Sequence, residues 1–190
     1  YVQAVRALCD EKDLVLIVDE VQTGVFRCGA PFSYQLAGIV PDIVSMAKGI
    51  AGGFPMGAFS AHGEVADLLG PGDHGSTFGG NPLACAVGRA TMETLVAEGI
   101  GEHVIEVGAQ LAERLAALPH VTEVRGRGLM RGAQLDAPIA RGLVEQGLRA
   151  GLVLNCVGDS TLRFLPPLVV TAGQVDAMAE RLTKLIGQLA

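Results

Sequence analysis

Leu14-Val-Leu-Ile-Val-Asp-Glu-Val-Gln-Thr-Gly24 is the stretch that decides the fold. Leu14 to Val18 is continuously apolar and rich in β-branched residues, the pattern of a parallel strand covered on both faces. The run stops at Asp19, so a carboxylate stands at the C-terminal end of the strand. In open α/β sheets that edge is where ligands bind. A carboxylate there can pair with a pyridinium nitrogen and keep the ring protonated, able to take up the electrons of a developing carbanion. Taken alone, a strand-end aspartate reads as an N-cap or a structural hydrogen bond. Glu20 points the other way by the period of a strand, and a salt bridge is expected of it. Val21 can pack on a ring face and Gln22 can donate to a phenolic oxygen, although each by itself reads as structure.

The next informative stretch downstream is Asp42-Ile-Val-Ser-Met-Ala-Lys-Gly-Ile-Ala-Gly-Gly-Phe-Pro-Met-Gly-Ala58, an apolar run that passes into a glycine-rich loop around Lys48. A lysine on a buried, glycine-cushioned loop is costly unless its amine is used. The expected use is covalent attachment of pyridoxal phosphate (PLP). To act as a nucleophile the amine must be neutral part of the time. Gly49, Gly52 and Gly53 let a cofactor approach closely. The plain alternative is a lysine that snorkels out of a loop.

A third segment, Gly72-Asp-His-Gly-Ser-Thr-Phe-Gly-Gly-Asn-Pro82, is a polar glycine-rich loop that feeds a helix. The hydroxyls of Ser76 and Thr77, with adjacent backbone amides, can hold a phosphate. The loop lacks the lysine of a Walker A motif, which disfavours a nucleoside triphosphate. It reads equally well as a capped helix start. Arg163, inside the apolar Thr161-Leu-Arg-Phe-Leu-Pro-Pro-Leu168, needs a carboxylate partner. A substrate carboxylate suits its bidentate fork, as does an internal salt bridge. Arg125 and Arg127 flank Gly126 on a turn, where ion pairs are the default. No Ser-His-Asp arrangement points to a hydrolase.

Composition limits the alternatives. A chain of 190 residues that is 49% hydrophobic has enough material for one sizeable core or two small domains. Its 26 glycines and 4% aromatics suit an α/β protein with tight turns. A net charge of −6 argues against nucleic acid or an anionic membrane as partner. No apolar run is long enough to span a bilayer. The four cysteines (Cys9, Cys28, Cys85, Cys156) form no CxxC motif. No metal site is expected, and reduced thiols in a cytoplasmic protein are. The chain opens on Tyr1 inside a helical pattern and reads as a fragment.

Periodicity predicts a helix over 1–12, strands at Leu14–Val18, Asp42–Met46 and Met56–Ala61, and a short helix at Glu64–Leu69. A long helix follows from Asn81-Pro82 to about Glu98, with Pro82 in its first turn and Gly99 at its end. Its small residues Ala84, Ala86, Gly88 and Ala90 predict close packing of another element. Beyond Gly99 the prediction is helix Gly101–Leu118, strands Val121–Val124 and Met130–Leu135, helix Ile139–Ala150, strands Leu152–Leu154 and Thr161–Leu165, and helix Thr171–Leu189 with Thr171 as N-cap. The fold expected is α/β over residues 1–98, mostly parallel sheet with helices, followed by a small α+β domain over 99–190.

Together these segments resemble the class III (ornithine-type) aminotransferases, PLP enzymes of fold type I. The resemblance rests on Val18-Asp-Glu-Val-Gln-Thr-Gly24, Pro41-Asp-Ile43, Ala47-Lys-Gly49, Gly52-Gly-Phe-Pro-Met-Gly-Ala58, His74-Gly-Ser-Thr-Phe-Gly-Gly-Asn-Pro-Leu83, Arg125-Gly-Arg-Gly-Leu-Met130 and Leu162-Arg-Phe-Leu-Pro-Pro-Leu168. It implies that Lys48 carries the cofactor and shuttles a proton, that Asp19 pairs with the pyridine nitrogen, and that Glu20, Val21 and Gln22 line the cofactor. It implies that Thr77 binds the cofactor phosphate across a homodimer interface, that Ser76 lies near the substrate, and that Arg163 grips a substrate carboxylate. The amino group would pass from a small-molecule donor to 2-oxoglutarate. The donor is acetylornithine by the lean of Phe54–Ala58 and Arg125–Met130, with ornithine, succinylornithine, 4-aminobutyrate or another ω-amine as alternatives. Val25-Phe-Arg-Cys-Gly29 departs from the family pattern, with Cys28 in place of a hydroxyl residue. Family chains are longer, so this one corresponds to the later part of the large domain plus the small domain. Alone it is expected to be inactive. The alternative of another class is a non-catalytic folding or dimerisation fragment.

Overall fold

The computed structural model describes residues 1–189. The chain divides into two compact units, Tyr1–Gly101 and Glu102 onward.

The first unit opens with helix α1 (Val2–Lys12), which ends on Asp13 in the left-handed region. Strands β1 (Ile17–Asp19), β2 (Ile43–Met46) and β3 (Ala58–Ala61) form a sheet in the order β1-β2-β3. β1 and β2 are parallel, with Ile17 opposite Ile43 and Asp19 opposite Ser45, while β3 runs antiparallel to β2. The expected mostly parallel sheet is therefore one parallel and one antiparallel pair in this chain. The apolar run joins the ladder only at Ile17. Leu14, Val15 and Ile17 are 53%, 50% and 61% exposed, so the strand is not covered on both faces as its sequence predicts. β1 is the edge of a three-stranded sheet, and among the described residues no strand continues the ladder beyond it. The Asp42 carboxylate fixes the strand's entry, where Oδ2 accepts from Leu16 N at 2.6 Å and from Arg6 Nη1 at 2.8 Å.

The predicted helix at Glu64–Leu69 is a 3-10 turn, Gly63–Asp67. Gly63 at φ 66° opens it and Gly70-Pro71-Gly72 follows at once, too short a span to nucleate an α-helix. Helix α2 (Pro82–Ala97) starts as its sequence predicts. The Asn81 side chain accepts from Ala84 N at 2.8 Å with Pro82 behind it, and Gly99 at φ 63° follows the end. Of its four small residues, Ala84 and Gly88 are buried, whereas Ala86 and Ala90 face solvent. A β-carbon at Gly88 would lie 2.9 Å from Met56 Sδ, so the Met56 side chain packs directly on the helix backbone there and would have to shift to admit one.

The second unit is built on helix α3 (Ile100–Ala116), which begins at the end of the first unit. Val104, Val107, Leu111, Leu115 and Leu118, spaced at helical intervals, are all buried. Strands β4 (Val121–Arg127), β5 (Met130–Leu135), β6 (Asn155–Val157) and β7 (Thr161–Phe164) make an antiparallel sheet in the order β4-β5-β7-β6. β4 runs on to Arg127, three residues past its predicted end. The hairpin closes through Gly126 at φ 109°, where a β-carbon would stand 2.1 Å from Met130 O. The Arg131 guanidinium ties the turn down by donating to the carbonyls of Gly126, Gly128 and Gly108.

Helix α4 (Ala140–Gly147) is shorter than expected, and Leu152–Leu154 is not a strand. Leu152 N donates to Gly147 O at 2.8 Å, which closes the helix and folds Leu152 into the core. Pairing with β7 begins only at Asn155, opposite Arg163. Helix α5 (Ala172–Leu189) is capped by Thr171, whose Oγ1 accepts from Gln174 N while Gln174 Oε1 accepts from Thr171 N. Leu143, Leu162, Leu182 and Ile186 are fully buried at the centre of this unit.

Candidate active site

The parallel pair β1–β2 brings two of the predicted residues to one edge. Asp19 lies opposite Ser45, and Glu20 N continues the ladder by donating to Ser45 O at 2.9 Å. Lys48 follows Ser45 by three residues and opens a 3-10 turn, Lys48–Ala51, at the C-terminal end of β2. Both side chains therefore leave the ligand-binding edge of adjacent strands.

Lys48 has φ 50°. A side chain with a β-carbon in the left-handed region is strained by about 1 kcal/mol or more, and such strain collects at functional sites. The two residues anchoring the turn, Ile50 and Ala51, are buried with Val25 in a small apolar cluster. Lys48 and Gly49 themselves are exposed, which corrects the expectation of a buried lysine. Val25 and Phe26 also have positive φ, 55° and 63°. A β-branched residue in that region is a genuine outlier. Val25 N donates to Pro31 O at 2.7 Å, and Val25 lies 3.5 Å from where a β-carbon on Gly49 would stand. Residues 25–31 are thus a strained loop packed against the lysine turn. Nothing in the composition of Val25-Phe-Arg-Cys announces it; the only cue is the departure from the family pattern at the same place.

Asp19 Oδ1 accepts from Val21 N at 2.8 Å, a structural hydrogen bond of the kind its position predicts. Asp19 is exposed, and its Oδ2 has no partner among the described residues. Val21 is half-buried and Gln22 exposed. Glu20 is 1% exposed. A salt bridge is expected of it, but the structure surrounds its carboxylate with neutral donors. Thr23 Oγ1 donates to Oε2 at 2.5 Å, and Ser33 Oγ and Tyr34 N donate to Oε1 at 2.6 and 2.8 Å. Ser33 has no signal in the sequence because it reaches Glu20 across 13 residues, whereas Thr23 lies only three residues away.

Ser76 lines a cleft of about 920 Å³ with Ser45 and Met46 of β2, Ala58 and Phe59 of β3, and His74, whose ring meets Phe59 edge-on. Thr77 is the next residue along this exposed loop. Arg163 stands in the second unit, half-buried on β7 opposite Gly132 and Asn155. It borders a cavity of about 400 Å³ lined by Leu111, Leu154, Phe164, Pro166 and Met178 among others. Arg125 is exposed and pairs with Glu123 at 3.4 Å, as a turn arginine should. Cys9 and Cys28 are buried, Cys85 is exposed and Cys156 is half-buried, and none of the four is in a disulfide among the described residues. No helix among the described residues is long and apolar enough to cross a membrane.

The donor set fits PLP. An open carboxylate oxygen and a primary amine share one sheet edge, and a hydroxyl-bearing glycine loop borders the adjoining cleft. Fold and site define the fold type I class of PLP-dependent transferases. Within it, the chain belongs to the class III aminotransferases: the family model described as "Aminotransferase class-III" matches residues 1–186. The acetylornithine aminotransferase of Caldanaerobacter subterraneus subsp. tengcongensis is 45% identical over 193 residues, covering 100% of this chain and 49% of that relative. The ornithine aminotransferase of Toxoplasma gondii, whose active site holds PLP at partial occupancy, superposes with a TM-score of 0.92 at 34% identity, over 100% of this chain and 46% of its own. The acetylornithine aminotransferase of Elizabethkingia anophelis superposes with a TM-score of 0.90 at 31% identity, over 98% of this chain and 49% of its own. The chain spans about half the length of the curated relatives it matches.

Proposed function

We propose that this chain supplies the lysine-bearing part of a PLP-dependent aminotransferase that moves the amino group of N2-acetylornithine to 2-oxoglutarate, yielding N-acetylglutamate 5-semialdehyde and glutamate in arginine biosynthesis. The observation that carries the proposal is the placing of Asp19 and Lys48 at one edge of the β1–β2 pair, with the lysine held at positive φ. Relatives at 42–45% identity that are named acetylornithine aminotransferase support the choice of donor. Ornithine is the second reading, favoured by the TM-score of 0.92 to the Toxoplasma enzyme.

In this reading the first unit belongs to the large, cofactor-binding domain and the second unit is the small C-terminal domain. When bound, PLP supplies an electron sink for the carbanion left on the substrate carbon. Lys48 would hold the cofactor through Nζ, and its amine, when free, would serve as the base and acid that carries the proton of the substrate carbon. Asp19 Oδ2 would accept from the ring nitrogen of the cofactor, while Oδ1 stays fixed by Val21 N. Val21 packs on the ring, Gln22 donates to the phenolic oxygen, Ser76 borders the substrate, and Arg163 binds a substrate carboxylate through its fork. The enzyme works as a cytoplasmic homodimer in which Thr77 binds the cofactor phosphate of the partner subunit's site.

The test uses the complete gene product that carries this chain, loaded with PLP. Borohydride should fix the cofactor to the peptide containing Lys48, and N2-acetylornithine should be turned over with 2-oxoglutarate in preference to ornithine. A Lys48→Ala protein that still yields the fixed cofactor rules the assignment out. Preference for ornithine selects the second reading.

A further inference from the structure

Glu20 is the one buried polar or charged side chain among the described residues, and the proposed function leaves it without a role. Its surroundings show what it does. The Thr23 and Ser33 hydroxyls donate to its two oxygens, at 2.5 Å to Oε2 and 2.6 Å to Oε1. The third donor is the Tyr34 amide, in the 3-10 turn Ser33–Ala37. A buried carboxylate held this way is costly to disturb, because each lost donor leaves a buried acceptor short. The backbone of the same residue is fixed as well. Glu20 N donates to Ser45 O at 2.9 Å, and Glu20 O accepts from Gly24 N at 3.0 Å. A β-carbon on Gly24 would meet that oxygen at 2.8 Å, so the turn closes tightly on Glu20.

Val21 lies inside the turn that Glu20 clamps, and Val21 N is the donor that holds Asp19 Oδ1. We propose that Glu20 is a positioning residue for the cofactor carboxylate: by pinning the 20–24 turn to Ser33 and Tyr34, it fixes the Val21 amide that aims Asp19 Oδ2 outward. The inference rests on the reading of Asp19 as the carboxylate that faces the PLP ring nitrogen. It assigns Glu20 a role through Asp19 in place of direct contact with the cofactor. Residues that orient a binding group from behind shift affinity on the order of tenfold when removed.

The readout is the PLP dissociation constant of the complete gene product, titrated by absorbance, with thermal unfolding followed separately. Asp19→Ala should weaken PLP binding. Glu20→Ala should weaken it about tenfold, and Glu20→Gln, which keeps the shape and an acceptor toward Ser33 and Tyr34, should restore most of the loss. In an Asp19→Ala background, Glu20→Ala should cost no further affinity, since the group it positions is gone. Ser33→Ala removes a single donor and serves if Glu20→Ala does not fold. It should weaken PLP less than Glu20→Ala in the native background, and not at all beside Asp19→Ala. Equal losses in both backgrounds overturn the proposal by making Glu20 a purely structural residue, and so does unchanged affinity in Glu20→Ala. If Asp19→Ala alone leaves PLP binding unchanged, the reading of Asp19 itself fails, and this inference falls with it.

Discussion

At the residue scale, the positions of Asp19 and Lys48 were legible because a strand end and a glycine-flanked lysine leave marks in a linear sequence. The clamp on Glu20 was not, since Ser33 and Tyr34 reach it across a loop that no local pattern encodes. The strain at Lys48, Val25 and Phe26 was equally invisible, because backbone dihedrals of non-glycine residues have no composition signature. Gly126 is the opposite case. A glycine between two arginines on a turn is readable, and the structure shows why it must be glycine. At φ 109°, an alanine is strained, and its β-carbon would sit 2.1 Å from Met130 O. Gly126→Ala should cost on the order of 1–3 kcal/mol from the backbone conformation, with the clash adding to it. Urea unfolding should show the midpoint falling, and a midpoint equal to the parent's would mean the hairpin can re-form another way.

At the element scale, helices were read well and strands less well. α3 and α5 announce themselves by apolar residues at helical spacing and by the Thr171 cap, and both are where the pattern puts them. The pattern of Leu152–Leu154 looks equally strand-like, yet a tertiary hydrogen bond from Leu152 to Gly147 takes it out of the sheet. Packing decided that outcome over local propensity. The core of the second unit makes a direct prediction: Leu162, fully buried on β7, should cost about 2–5 kcal/mol when cut to alanine, with an unchanged denaturant slope if the transition stays two-state. In the first unit, Asp42 joins α1 to the start of β1. The hydrogen bond from the Arg6 guanidinium, aided by Leu16 N, holds its carboxyl below the usual carboxylate range. A depressed carboxyl stabilises the fold above its unfolded pKa, about 3.9, and that contribution is lost as the pH falls through the lower folded value. Asp42→Asn should therefore lower Tm by a few degrees at neutral pH and flatten the decline of Tm below about pH 4. Acid limbs of equal slope in the two proteins would exclude this linkage.

At the scale of the whole molecule, the two units differ in how much of their apolar surface they bury. The second has a continuous core in which residues from α3, α4, α5 and β7 reach zero exposure. The first has a small cluster around Val25, Ile50 and Ala51, and it leaves Leu14, Val15 and Ile17 half exposed at and just before the edge strand β1. A parallel strand of that composition is built for burial on both faces, and an apolar edge in water is a site for unwanted pairing. This chain spans about half the length of its curated relatives. The sequence predicts burial for that strand and the structure leaves it half exposed, because composition reports what a residue is suited to, while exposure depends on what else is folded beside it. The purified 190-residue chain should accordingly show transaminase rates at background and, through the β1 edge, self-association that rises with concentration in sedimentation velocity. Replacing Ile17 with lysine should reduce that self-association, because a charge on an exposed edge opposes pairing. A monomeric chain with robust turnover of N2-acetylornithine would show that the lysine-bearing half is sufficient by itself, and the proposal that it supplies only part of the site would have to be given up.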